Sequence, residues 1–277
     1  MVLMCNGGYC LEKNIILVPH TYRKSIHIEL QDANLMLLFD GFKNKNNNED
    51  PYIFSDSFLY SFCHAANSMS KNVLSDNVRP IYIFMAKDEE NHYMIDTVIE
   101  SETIIEWPLK GDRSKEQLKR FFAENLGDEI DIDDVIDHHL PGISEEKNDL
   151  TEHCNITLRT CIGNKEGSYL PLIKYGENYK SFTFNKEYSQ KIQNLFKTDK
   201  NARNYVVKKT TPRICDDSNK MEDYDDVIQY IESEVLNNDN IYKVDATKIK
   251  GLYSELKSKR GKKGPIELKI NKSLNEL

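Results

Sequence analysis

The sequence predicts a mixed α/β fold. Short apolar runs of strand length, closed by Gly, Pro and Asn turns, recur through the first two thirds of the chain. Segments with helical apolar spacing are interleaved with them and dominate the last third. Hydrophobic residues make up 39% of 277 residues against 30% charged, enough for a packed core and too apolar for wholesale disorder.

In chain order, Val2 to Cys5 reads as a short buried strand stopped by Asn6-Gly7-Gly8. Ile15 to Val18 is a second apolar run, closed by Pro19. Ser25 to Leu30 alternates Ile26, Ile28 and Leu30 with polar partners, the period of a half-exposed strand. Leu35 to Phe39 follows, and Lys43 to Asp50 is an Asn- and Lys-rich surface loop. Ser55 or Asp56 can cap a helix with Phe58, Phe62, Ala65 and Met69 on one face. Pro80 to Ala86 is a strongly apolar strand, paired with Tyr93 to Ile99 across an Asp-Glu-Glu-Asn turn.

Ser114 caps a helix running to Asn125, and Asp131 to His139 forms another, ended by Pro141-Gly142. Ile156 to Leu158 is a brief strand leading to Cys161 and Gly163. The last third carries a helix around Lys186 to Phe196 and a basic strand-like piece, Tyr205 to Lys208. An amphipathic helix follows, with Tyr224, Val227, Ile228, Ile231 and Val235 on one face. Ala246 to Ser258 is a further helix, leading into the basic run that ends in Lys262-Lys263, and Ile266 to Ile270 is a terminal strand. The change of character near Gly176 divides the chain into an α/β region, 1–176, and a helix-rich C-terminal extension, 177–277.

A formal net charge of −8 sets the chain against phosphate backbones, so nucleic acid is not an expected partner. No stretch is apolar for long enough to span a bilayer, and Met1 to Cys5 is too short for a signal-peptide core. A cytoplasmic protein, or one delivered to a host cell by a specialised secretion system, is the expectation, with a protein or peptide as partner. Six cysteines scattered without a CxxC pair read as free thiols, not as a disulfide framework or a structural zinc site. The phosphate-binding, dinucleotide and GxSxG motifs are missing, so no cofactor is expected.

Cys161 is the leading candidate for chemistry. At the end of a strand its thiol would open into the crevice where the loops of an α/β sheet gather. With a nearby base it could attack a carbonyl. Amides near Gly7, Gly8 and Gly163 would then serve as oxyanion donors. The alternative is a small buried residue in a tight turn.

The opening strand ending in Gly7-Gly8-Tyr9, then Val18-Pro19 and Ser25 to Leu30, resembles the start of the bacterial Stv adhesin domain. The short helix at Ile132 to Asp137 and the Cys-bearing turn at Thr157 to Ile162 extend the resemblance over roughly the first 170 residues. A strand ending in His-Gly and a later strand ending in Cys is also similar to the dyad layout of caspase-like peptidases. The resemblance implies a caspase-like or Stv-like α/β sandwich with a central mixed sheet. It further implies an effector or virulence-type protein of thiol-dependent hydrolase or acyl-transfer ancestry. Asn6 stands where both patterns place a histidine, and Asn cannot act as a general base. Either another histidine supplies that base, with His20 after Val18-Pro19 best placed, or the domain is a non-catalytic binding or adhesin-like module.

Asp137-His138-His139 resembles the signature of DHH phosphoesterases, where carboxylate and imidazole ligands hold two metals. An upstream Asp-x-Asp is missing, because Leu38-Phe39-Asp40-Gly41-Phe42 lacks the second Asp. Metal-dependent phosphoester hydrolysis is therefore the weaker alternative, and no metal site is assigned.

Overall fold

The computed structural model describes residues 12–19, 25–38, 59–62, 78–88, 90–108, 115–126, 136, 159–195, 218–248 and 266–277. They form a mixed α/β fold built on two mixed sheets with few helices, and not a barrel. The first sheet has five strands: β1 (Glu12–Pro19), β4 (Leu59–Phe62), β5 (Val78–Lys87), β6 (Tyr93–Glu106) and β7 (Arg159–Gly163), in the order β1-β5-β6-β7-β4. The second has six: β2 (Ser25–Glu29), β3 (Asn34–Leu38), β8 (Leu170–Tyr175), β9 (Asn178–Ser181), β10 (Tyr242–Val244) and β11 (Ile266–Lys269), ordered β10-β8-β9-β3-β2-β11. Among the described residues the longer helices are α1 (Lys115–Leu126), α2 (Lys186–Leu195) and α3 (Ser218–Ile231).

Strand composition follows burial. Strand β5 is buried from Pro80 through Ala86 because both of its faces are covered, and it pairs in parallel with β1 and antiparallel with β6. Strand β2 alternates because only one of its faces is covered. The turn between β5 and β6 is closed by Asp88, whose carboxylate accepts the amides of Glu90 and His92 at 2.9 and 2.8 Å. Asn91 takes the left-handed conformation there, φ 64°, which Asn tolerates better than most side chains.

Strand β6 joins the two sheets. Its first half pairs with β5 and its second half with β7. Single bridges at Met94–Thr183 and Val98–Tyr169 tie its other edge to the segments flanking β8 and β9. Asp96 is the extra residue of a bulge, because Phe84 faces Thr97 while Met85 faces Ile95.

One core lies between the sheets. Val18, Tyr82, Phe84 and Cys161 from the first meet Ile26, Leu35, Leu172 and Leu268 from the second. The opposite face of the first sheet, with Leu17, Ile83, Met85 and Ile95, is covered by Ile192 of α2 and Val227 and Ile231 of α3. Two polar contacts fix that layer: the Ser189 hydroxyl accepts the Tyr93 amide at 3.0 Å, and the Tyr224 hydroxyl donates to the Ile15 carbonyl at 2.9 Å.

Several elements differ from the sequence expectation. Residues 59–62, expected inside a helix, form β4, because antiparallel pairing with β7 competes there with a helical face. The expected helix through Val235 is α-helical to Ile231 and passes into a π-turn at Glu232–Leu236. Of the helix expected over 246–258, Ala246–Lys248 is a 3-10 turn, and residues 249–258 lie outside the described residues. Gly176 sits at the tip of the β8–β9 hairpin with φ 62°, so residues on both sides of the expected boundary build one sheet. The expected strand at 2–5, loop at 43–50, helix over 131–139 (apart from Ile136) and strands at 156–158 and 205–208 lie outside the described residues.

Candidate functional site

Strand β7 runs between β6 and β4, and Cys161 sits at its centre, opposite Ile104 on one side and Tyr60 on the other. This corrects the expectation of a strand end. The cysteine faces the core between the two sheets and is 0% exposed. Its thiol donates to the Ile162 carbonyl at 3.7 Å, and its sulfur also has the Ser101 hydroxyl as a hydrogen-bond partner. Burial pushes the thiol from 9.0 up to about 12, a rise the Ser101 hydroxyl only partly offsets. At neutral pH the sulfur is therefore a protonated, water-excluded thiol, the opposite of the exposed, low-pKa state that nucleophilic cysteines require.

The neighbouring residue shows why β7 is held so tightly. Thr160 points to the other face, where its hydroxyl accepts the Trp107 indole N–H at 2.8 Å. Trp107 stacks edge-on against Phe122 of α1, ring centres 4.8 Å apart. Strand β7 is thus clamped between the inter-sheet core and a Trp-centred contact with α1.

The remaining expected site residues divide in two. Gly163 closes β7, buried and paired with Ser101. Asn6, Gly7, Gly8, His20, Asp137, His138 and His139 lie outside the described residues. Of the two histidines within them, His27 is on the outer face of β2 and His92 is in the β5–β6 turn. Neither belongs to the core that holds Cys161. Among the described residues no group of three His, Cys, Asp or Glu side chains is placed to hold a metal ion, and no helix is long and apolar enough to cross a membrane.

A surface that the sequence did not single out is more open. The first sheet has helices on its outer face, and the outer face of the second carries a mixed array of half-buried and exposed side chains on β9, β3, β2 and β11. Cross-strand register places Lys180, Met36, His27 and Glu267 in one row over β9, β3, β2 and β11. Asn178, Asn34, Glu29 and Lys269 form the next row. Met36 is 41% exposed, and at the end of the second row Tyr175 of β8 is 60% exposed. Within the array Lys269 pairs with Glu29 at 2.5 Å, and the Lys180 ammonium lies 4.2 Å from the Tyr175 ring centre. An open depression of about 320 Å³ runs across these rows. The alternation of β2 and of Glu267 and Lys269 in β11 was the signal for this face. Its completion by β3 and β9 depends on pairing that spacing alone does not reveal.

Comparison with known proteins finds no matching family model, no matching curated protein and no matching solved structure.

Proposed function

We propose that this chain is a non-catalytic protein-binding module, an effector- or adhesin-type relative of the Stv-like or caspase-like α/β sandwiches that has no working thiol centre. The observation that carries this reading is the enclosure of Cys161 between two sheets, with its thiol pushed up to about 12. A nucleophile needs access and a thiolate fraction, and this sulfur has neither. Asn6, standing where the resemblance places a general base, points the same way. The outer face of the six-stranded sheet supplies the contact surface: amphipathic and amide side chains around an exposed Met36.

Turnover of thioester and peptide-amide model substrates tests it. Wild type and Cys161→Ala should show the same background rate. A wild-type rate that Cys161→Ala loses would overturn the reading.

A further inference from the structure

We propose that the depression on the outer face of the six-stranded sheet binds an uncharged saccharide, a sugar unit of a glycan carried by the partner protein. The inference rests on the reading of that face as the contact surface, and it names the chemistry that is contacted. Parallel pairing of β3 with β9 sets Asn34 beside Asn178, and His27 of β2 lines the same hollow. Among the described residues the side chains of Asn34, Asn178 and His27 have no hydrogen-bond partner. Each amide offers two donors and an acceptor, and a neutral imidazole offers one of each.

The charges around the hollow are already balanced. Lys269 pairs with Glu29 at 2.5 Å, the Lys180 ammonium sits 4.2 Å from the Tyr175 ring centre, and Glu267 keeps a partner within the chain. What stays open is hydrogen-bonding capacity without net charge, and its complement is an uncharged compound. A hydroxyl both donates and accepts, so a polyhydroxyl ring can meet two amides and an imidazole in any donor order. Spacing favours such a ring over a peptide backbone. The two amides stand one strand spacing apart, about 4.8 Å, within the span of hydroxyls on one ring, whereas like-facing groups of an extended peptide repeat at about 6.6 Å.

Apolar contact completes the match. Met36, 41% exposed, lies in the hollow, and Tyr175, 60% exposed, stands beside Asn178 at its edge. A pyranose ring carries C–H groups on its faces and hydroxyls around its rim. Its faces suit Met36 and the Tyr175 ring, while its rim reaches the amides. A volume of about 320 Å³ is at the small end of ligand sites and holds one or two such rings. An open site of this size binds weakly, with a dissociation constant of about 1 mM.

Titration of the isotope-labelled full chain with the methyl glycosides of glucose, galactose, mannose and N-acetylglucosamine tests the proposal, read by NMR at the side-chain amide signals of Asn34 and Asn178. At least one sugar should shift both signals and saturate with a dissociation constant of about 1 mM. Asn34→Ala, Asn178→Ala and Tyr175→Ala should each weaken binding about three- to tenfold. The shifts are read on wild type, so the outcome does not depend on how well a variant folds. Glucuronic acid and glucosamine, charged relatives of the same ring, should bind no more tightly than the neutral sugars. Asn34 and Asn178 signals that stay fixed with all of the neutral sugars up to about 20 mM would overturn the assignment. So would a charged relative that binds at least about tenfold more tightly. In either case the enclosed thiol and the non-catalytic reading would still stand, because the Cys161→Ala turnover comparison tests them separately.

Discussion

Replacing Cys161 by Ala while varying pH separates a structural thiol from a reactive one. Burial holds the folded thiol at about 12 against 9.0 for its ordinary value, so the folded state binds this proton more tightly than the unfolded state. With the folded pKa raised, the contribution is fully present below about pH 9 and is lost as pH rises toward about 12. Linkage over this window removes about 2 kcal/mol from wild type at about pH 10.5, and nothing from Cys161→Ala. Tyr93, Tyr169 and Tyr224 are also pushed up to about 12 by burial, but they weaken both proteins equally at high pH and cancel in the comparison. At neutral pH the Ala variant loses the sulfur from a closed core, costing about 1–2 kcal/mol. The two stability curves should therefore start apart at pH 7 and meet near pH 10.5. Urea unfolding, followed by fluorescence of the single tryptophan, Trp107, buried against Phe122, measures both curves. Parallel curves over the whole range would refute the reasoning, because they would mean that the folded protein accommodates the thiolate.

Two further substitutions probe the frame around the site. Thr160→Val keeps the shape of the side chain but leaves the buried Trp107 indole N–H without its acceptor; about 1–3 kcal/mol of stability should be lost, with a change in Trp107 emission, measured by urea unfolding. Gly167→Ala would set a methyl 2.7 Å from the Glu100 Cβ, so the β7–β8 turn must shift away from β6; a loss of about 1–3 kcal/mol in thermal or urea unfolding is expected.

Much of the fold was legible because its strands are dictated by local pattern. The alternation of Ile26 and Ile28 announced β2, the unbroken run from Pro80 to Ala86 announced β5, and helical spacing announced α1, α2 and α3. Where pairing partners decide, spacing misled. Residues 59–62 satisfy a helical face, yet they pair with β7, more than ninety residues downstream. Strand β10 has only three residues, two of them exposed, and is defined by its pairing with β8 in the ladder and not by its own apolar content.

The candidate site failed at the same point. The apolar run Ile156 to Leu158 placed a strand just ahead of Cys161 and so put the cysteine at its exit. The ladder with β6 and β4 runs instead from Arg159 to Gly163, and its half-buried Arg159 and buried Thr160 carry polar side chains that masked the strand. Moving the register by these few residues converts a crevice residue into a core residue. The polar outer face of the second sheet was overlooked for a related reason, since it joins the neighbouring strands β2 and β3 to β9 and β11, which lie far away in sequence.

Alkylation of Cys161 by iodoacetamide in the folded protein at neutral pH, read by peptide mass mapping against the same reaction in denaturant, tests the central claim most directly. Complete enclosure and a thiol held near 12 predict that Cys161 is labelled only once the protein unfolds. Labelling of native Cys161 as fast as, or faster than, the denatured control would contradict the account and return the thiol to the list of nucleophiles.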